Sequence, residues 1–293
     1  MGKELLKKTG NLLPYYGGMP NHRPGAFVQW EEAEDRTGLE RYIREYRDPS
    51  LPERYRLDDE WGYAFNSLGF RGEEYDHSAM FHLFACGCSF TYGMGIKWEQ
   101  TWPYVFKERL ATKRGWSINQ VNLLNFGQQA ASNDYIARTI LSQCARSRPD
   151  LVLALFTAKE RAEFVQNNRI GNIGPWLQNE ESLNYYRCYT EELGMINLLK
   201  NVLLVQQFCQ IHEIPCLISI FYHAELSNPA FMDHPIIGSL MAQVRWENVC
   251  PFSLIDFRCD VGRMCHHPGP LSNLCFGRKL GVFYEKLMQS GMI

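Results

Sequence analysis

The chain is most easily interpreted from one segment, FHLFACGCSFTYG at residues 81–93. Its apolar run over residues 81–88 has the length of a buried β-strand. The run ends in small, hydroxyl-bearing and glycine residues just ahead of a helical pattern. Because ligands of an open parallel sheet bind at the carboxyl ends of its strands, Ser89 is expected at such an end. The backbone N–H groups that start the next helix can hold an oxyanion there.

Short β-rich runs alternate with amphipathic segments on the carboxyl side of this segment. The predicted strands are 81–88, 120–125, 151–156, 215–221 and 253–257, and the predicted helices are 101–112, 133–147, 183–212, 235–248 and 270–290. This alternation predicts an α/β fold, a three-layer α/β/α sandwich with a five-stranded parallel, flavodoxin-like sheet. Residues 79–293 are predicted to form that domain. Residues 1–78 are predicted to be an irregular N-terminal arm with a short helix at 38–46.

Charge and hydropathy exclude several classes of protein. Of 293 residues, 30 are Lys or Arg and 32 are Asp or Glu, so the formal net charge is -2. No global basic field is present to hold a nucleic acid or an anionic membrane. No apolar run approaches the ~20 residues that span a bilayer, and no secretory signal follows the basic N-terminus. We therefore expect a cytoplasmic protein with neither a nucleic-acid nor a membrane partner.

Ten cysteines are scattered along the chain without any CxxC spacing. Three of them, Cys86, Cys209 and Cys216, lie inside apolar runs, which favours buried reduced thiols over disulfides. One cluster contains several potential metal ligands: Cys259, Cys265, His266, His267 and Cys275. It lacks the paired spacing that zinc sites use. Neither a metal nor an organic cofactor is expected.

Four blocks of the sequence resemble the SGNH, or GDSL-type, hydrolases. GCSFTYG at 87–93 is similar to the family's first block, GDSxTxG, with Cys88 in place of the usual Asp. NFGQQA at 125–130 and the strand at 151–156 fall where the second and third blocks are expected, and HPGP at 267–270 resembles the last block. NSLGFRG at 66–72 is similar to a segment that often precedes the first block in bacterial and phage members. The resemblance covers residues 66–293.

The resemblance implies a serine esterase in which Ser89 is the nucleophile and His267 the general base. A serine hydroxyl is a weak nucleophile until a histidine takes its proton. The oxyanion donors would be the N–H groups of Ser89 and Ala130, Ala130 replacing the family's Gly, with Gly127 in the same block. The family's habit suggests an O-acyl ester as substrate, acetyl or short acyl, on a small molecule or a carbohydrate.

Two positions depart from the family pattern. The Asn of the third block aligns near Lys159, so Thr157, Lys159 or Arg161 is the candidate replacement for its side-chain donor. The Asp three residues before the histidine is Met264, which leaves Asp256 or Asp260 to orient His267, or a Ser-His dyad. Loss of one oxyanion donor typically costs ~10²–10³ in turnover.

Alternative interpretations stay open at this stage. Taken alone, a serine in the position of Ser89 is more often a helix cap than a nucleophile. His266 is an alternative to its neighbour His267 as the general base. Cys88 is an alternative nucleophile. Asn133 and Asp134, after Ser132, form either a contact of the second block or the cap of the next helix, and the cap is favoured. Arg161 and Glu163 form either an ion pair in the cleft or a solvated helix face.

Two alternative functions stay open. The protein is either an acyltransferase that acts on a glycan or a catalytically degenerate protein that only binds a ligand.

Overall fold

A central sheet of four parallel strands organises the molecule. The computed structural model describes residues 6–15, 24–29, 62–166, 169–262 and 267–293. In chain order its strands are β1 (Phe27–Gln29), β2 (Gly62–Ala64), β3 (Phe81–Gly87), β4 (Val121–Asn125), β5 (Leu151–Phe156), β6 (Ala162–Gln166), β7 (Arg169–Ile173) and β8 (Cys216–Ile220). The central sheet has the order β4-β3-β5-β8, and β1-β2 and β6-β7 are antiparallel pairs.

Helices cover the central sheet. They are α1 (Ser89–Tyr92), α2 (Trp102–Arg114), α3 (Asn133–Arg146), α4 (Glu180–Cys188), α5 (Glu191–Ile211), α6 (Pro229–Met232), α7 (Pro235–Met241) and α8 (Pro270–Gln289). Helix α2 packs against α8, and α3 packs against α5. Every residue of β4, β5 and β8 is buried, as expected where helices cover both faces of a parallel sheet. The predicted α/β sandwich is confirmed.

The predicted fifth strand at 253–257 is wrong. In the described residues, the only pairing on the outer side of β8 is one isolated parallel bridge between Ile218 and Val249. Residues Leu254–Phe257 form a 3-10 turn, in which Ser253 and Asp256 make a capping box. These side chains bond to the local backbone groups that a strand would use in its ladder. The parallel sheet therefore has four strands where five were predicted.

Two predicted helices also have different limits, and one hairpin was not predicted. The helix expected at 183–212 is divided into α4 and α5, because Thr190 accepts a hydrogen bond from Leu193 N and starts a new helix. The helix expected at 235–248 ends as α7 at Met241. The hairpin of β6 and β7 lies between β5 and α4. Its five paired positions sit in a segment for which the sequence pattern predicted no strand.

The described parts of the N-terminal arm pack onto the α/β domain. Their buried hydrophobic side chains are Leu12, Val28, Tyr63, Phe65 and Phe70, and Asn66 and Arg71 are buried as well. Lys8 pairs with Asp150 at 2.6 Å. The predicted helix at 38–46 lies outside the described residues. Among the helices of the described ranges, none has the combination of length and apolar character that crossing a membrane requires.

Candidate active site

Ser89 and His267 meet at the carboxyl edge of the central sheet. Ser89 is the first residue of α1, directly after β3, and His267 lies in the loop ahead of α8. The His267 Nε2 atom is 2.9 Å from Ser89 Oγ, within the range for proton transfer between a nucleophile and its base. Ser89 is only 6% exposed, and the Phe90 ring packs edge-on against the imidazole. Two residues 178 positions apart thus form the predicted pair.

Short-range hydrogen bonds fix the turn that carries Ser89. The N–H groups of Thr91 and Tyr92 both donate to the Cys88 carbonyl, at 2.9 and 3.0 Å. Gly93 ends α1 with a φ of 81° and donates to Ser89 O. This left-handed conformation favours glycine. A four-residue helix closed at both ends holds the Ser89 hydroxyl at the sheet edge.

Asp260 stabilises the loop that carries His267. Its carboxylate accepts hydrogen bonds from Leu271 N at 2.8 Å, from Ser272 N at 2.9 Å and from the Ser272 hydroxyl. Gly262 N donates to His267 O at 2.8 Å, and Gly269 N donates to Asp260 O at 3.1 Å. Asp260 therefore caps α8 and closes the loop around His267.

Asp256, the other candidate partner of the histidine, is used elsewhere in the fold. Its carboxylate accepts the Ser253 N–H at 2.7 Å in the capping box. The two aspartates named from the sequence thus bond to backbone in the described residues: Asp256 to the 3-10 turn and Asp260 to the start of α8. Met264 and His266 lie outside the described residues.

The N–H groups of Ser89 and Ala130 are the candidate oxyanion donors. Gln128 N donates to Gly87 O at 3.1 Å, and Ala131 N donates to Gln128 O at 3.3 Å, so a turn is held beside the end of β3. Ala130 has a φ of 58°, a left-handed conformation that L-residues adopt at a cost. Within the described ranges, neither the Ser89 N–H nor the Ala130 N–H donates to a protein group. Both are available to a substrate oxygen.

Gly127 has a packing role in this loop. Its N–H donates to Asn125 Oδ1 at 2.8 Å, so it is not free for an oxyanion. A Cβ at this position would lie 2.3 Å from the backbone nitrogen of Tyr92 and 2.7 Å from the carbonyl carbon of Thr91. Gly127 therefore permits the close approach of the second block to α1.

Thr157 follows β5 and is held by a residue that the sequence did not identify as part of the site. Asn133 Oδ1 accepts the Thr157 N–H at 2.8 Å, and Asn133 Nδ2 contacts the carbonyls of Thr157 and Ala158. Asn133 clamps the third block to α3. The helix cap is Ser132, whose hydroxyl accepts Tyr135 N, so the cap predicted at Asn133 and Asp134 lies one residue earlier.

Lys159 is fully engaged by carboxylates. It pairs with Glu191 at 2.8 Å and with Glu225. Burial lowers the pKa of Lys159, but the hydrogen bonds to Glu191 and Glu225 outweigh burial and leave the pKa raised. The ammonium group thus stays charged and links α5 to the segment after β8.

Arg161 contacts the loop that contains Ala130, the candidate oxyanion loop. Its Nη1 is 3.5 Å from the Ala131 carbonyl, and its guanidinium lies 4.6 Å from the centre of the Trp176 ring. Glu163 pairs with Arg138 at 2.8 Å and belongs to β6. Neither an Arg161–Glu163 ion pair nor a helix face exists at this position.

An aromatic row leads from His267 to the surface. Phe90 contacts Phe221 with ring centroids 5.2 Å apart, and Phe221 contacts Tyr222 at 4.4 Å. Tyr222 is 44% exposed, whereas Phe90 and Phe221 are buried. These rings follow β3 and β8 and connect His267 with the exposed Tyr222.

Cys86, in β3, and Cys88, in the first block, are both buried. Burial raises the pKa of the Cys86 thiol, which keeps it in the unreactive protonated form. Cys88 precedes Ser89 and packs in the core. In the described ranges, no three His, Cys, Asp or Glu side chains are grouped so as to hold a metal ion.

The fold and the Ser89–His267 contact together define an α/β protein with a serine–histidine pair at the carboxyl edge of a parallel sheet. Among solved structures, the chain is similar to TesA, with 14% identity over 70% of this chain and 99% of the other and a TM-score of 0.46. It is also similar to the psychrotrophic esterase EstA from Pseudoalteromonas sp., with 11% identity over 71% and 98% of the two chains and a TM-score of 0.46.

A third similar structure is the Clostridium thermocellum family 3 carbohydrate esterase, with 12% identity over 72% and 98% of the two chains and a TM-score of 0.39. No protein-family model and no curated protein matches the chain. Because these identities are low and the TM-scores are below 0.5, the activity has to be inferred from the chain's own residues.

Proposed function

We propose that the protein is a serine esterase that cleaves an O-acyl ester through Ser89 and His267. The observation that carries this proposal is the 2.9 Å contact between Ser89 Oγ and His267 Nε2. A serine that only capped a helix would bond to backbone N–H groups. Here the hydroxyl instead contacts a histidine from a distant loop, at the edge of the sheet where ligands bind.

In the proposed reaction, Ser89 Oγ attacks the ester carbonyl carbon while its proton passes to His267 Nε2. The N–H groups of Ser89 and Ala130 stabilise the resulting oxyanion. His267 then gives the proton to the leaving alcohol, and an acyl-Ser89 ester remains. Water, deprotonated by His267, attacks that ester; the bond from the acyl carbon to Ser89 Oγ breaks to release the acid, and His267 returns the proton to Ser89 Oγ, which restores the starting state.

The residues around the pair are consistent with a compact ester substrate. Tyr222 and Trp176 are 44% and 48% exposed; Tyr222 contacts Phe221, and Trp176 contacts Arg161. Aromatic faces of this kind suit ligands with one apolar and one polar side, such as sugar rings. We therefore infer an acetyl or short acyl ester on a carbohydrate as the substrate.

Hydrolysis of p-nitrophenyl acetate and butyrate by the wild type, Ser89→Ala and His267→Ala tests the proposal. Activity in both variants should fall by at least about 10³-fold, and fluorophosphonate labelling should be lost in Ser89→Ala. Ser78→Ala, which changes an exposed serine bonded to Asp76, and His266→Ala are the matched controls. Labelling that persists in Ser89→Ala, or activity lost only in Cys88→Ala, would reject Ser89 as the nucleophile.

A further inference from the structure

Arg161 is a cation that the protein itself leaves under-satisfied beside the candidate oxyanion loop. Its neighbours Lys159 and Arg138 each contact at least one carboxylate within 2.8 Å. In the described residues, no carboxylate lies within the 4.0 Å of a salt bridge to Arg161. Its contacts are one long bond to the Ala131 carbonyl and the face of Trp176. The buried Nε has no acceptor in the described ranges.

Two local contacts fix the surroundings of the Arg161 side chain. Tyr186 donates its hydroxyl to Glu160 O at 2.8 Å, which fixes the turn ahead of Arg161. Gly174 lets the Trp176 ring fold back, because a Cβ there would lie 2.6 Å from two ring carbons. The aromatic face orients a guanidinium without neutralising it.

We propose that Arg161 and Trp176 form a subsite for a carboxylate carried by the substrate next to its ester group. The inference rests on the proposed function, because it places the ester carbonyl at Ser89 and Ala130. Ala131 contacts Arg161 and directly follows Ala130, so the subsite is adjacent to the oxyanion position. A guanidinium has five N–H donors in a planar fork that matches a carboxylate, and Arg161 uses one of them.

Two probes that differ only in this charge test the subsite: tetra-O-acetyl-glucuronic acid and its methyl ester. For the wild type, kcat/KM for acetate release should favour the acid. In Arg161→Gln, the acid-to-methyl-ester ratio should fall about 10-fold to 100-fold, as expected for loss of one charge-assisted contact. The acid-to-methyl-ester ratio of Arg161→Lys should lie between those of the wild type and Arg161→Gln, because lysine keeps the charge and lacks the planar fork of the guanidinium.

Arg138→Gln is the matched control, since Arg138 is a neighbouring cation already paired with Glu163; its ratio should equal that of the wild type. The ratio separates substrate selection from any general effect on folding or turnover, which alters both probes equally. An unchanged ratio in Arg161→Gln would overturn the subsite.

Binding separates this inference from the proposed function. Calorimetry with glucuronate on the wild type and Arg161→Gln measures the subsite without catalysis. Weaker binding to Arg161→Gln supports the subsite even if no ester is cleaved, a result that would reject only the esterase. Equal dissociation constants for the two proteins would overturn the subsite even if Ser89-dependent hydrolysis is found.

Discussion

Arg71 donates a hydrogen bond of 2.9 Å from Nη1 to the backbone carbonyl of Tyr92, the last residue of the helix that begins at Ser89. The same guanidinium also donates to the carbonyls of Gly93 and Ile96. Arg71 is 1% exposed and lies 4.4 Å from the Tyr63 ring centre. A residue of the predicted N-terminal arm thus holds the turn that carries Ser89, at the carbonyls of the helix C-terminus.

Replacement of Arg71 is expected to disturb both stability and catalysis. Arg71→Met removes the side-chain donor to three buried carbonyls, of which Gly93 O keeps the Ile96 N–H at 3.4 Å, and each carbonyl left unsatisfied costs about 1–3 kcal/mol. We expect the free energy of unfolding to fall by at least about 3 kcal/mol, measured by urea denaturation. Arg71→Lys should be intermediate, and the exposed Arg187→Met should be silent. A loss below about 1 kcal/mol in Arg71→Met would contradict this account of the turn.

Ala130→Gly should stabilise the protein and keep its activity. The left-handed conformation costs an alanine roughly 1–2 kcal/mol, and glycine relieves this strain. Part of that stabilisation is lost because glycine has a larger conformational entropy in the unfolded chain. We expect a net gain of about 0.5–1 kcal/mol, measured by thermal denaturation, with kcat within about twofold because the N–H donor remains. Glu213→Gly, at the other described non-glycine residue with positive φ, should give the same gain. Destabilisation by Ala130→Gly would be the contrary result.

Gly127→Ala tests the close contact between the second block and the Ser89 turn. The added methyl would meet backbone atoms of Tyr92 and Thr91, which cannot move aside as a side chain can. Overpacking of this kind costs about 1–3 kcal/mol, and the displaced turn should lower kcat by at least about 10-fold. Gly281→Ala is the control, because the three atoms nearest to its added methyl all belong to the flexible Arg109 side chain. Equal effects of the two substitutions would argue against this account.

Asp260 is expected to act as a positioning residue for His267. Asp260→Ala removes the acceptor for Leu271 N and Ser272 N, so we expect a loss of about 0.5–2 kcal/mol and a fall in kcat of about 10-fold to 100-fold. Because the carboxylate acts on the loop, the acidic limb of the kcat/KM pH profile should keep its midpoint. If the acidic limb of Asp260→Ala moved to lower pH, the Asp260 carboxylate would instead be in direct contact with the His267 imidazolium in the wild type. Asp256→Ala should leave kcat near the wild-type value.

Asp150 makes stability depend on pH. Partial burial raises the pKa of Asp150, but hydrogen bonds from His82 and Lys8 outweigh burial, so its pKa is lowered in the folded protein. A lowered folded pKa stabilises the fold above the unfolded value of about 3.9, and this contribution is lost as pH falls through the folded pKa.

Asp150→Asn should therefore cost about 1 kcal/mol at pH 7 and progressively less as the pH falls below 4. Urea denaturation at a series of pH values measures this difference. The exposed Asp233→Asn is the control. A cost independent of pH would show that the charge of Asp150 is not involved.

Much of the site could be predicted because its parts are local. The strand of residues 81–87, the turn at Ser89 and the His-Pro pair each depend on neighbouring residues. The predicted fifth strand failed for a local reason as well, since the Ser253–Asp256 capping box competes with strand hydrogen bonds. Arg71 was missed as a site residue, and Asn133 was interpreted as a helix cap, because their partners are 21 or more positions away.

The sequence by itself determined the alternation of buried strands and helices, and with it the end of the sheet at which Ser89 would lie. The spacing and composition of the apolar residues are sufficient to predict this alternation, because strands that are buried on both faces of a parallel sheet require continuous apolar runs. Only the tertiary structure decided which distant side chains surround Ser89 and His267. Hydrogen bonds and ion pairs act over about 3–4 Å, so segments distant in sequence had to converge before Arg71 could hold the carbonyl of Tyr92, Lys159 could pair with Glu191, and Arg161 could reach the Ala131 carbonyl.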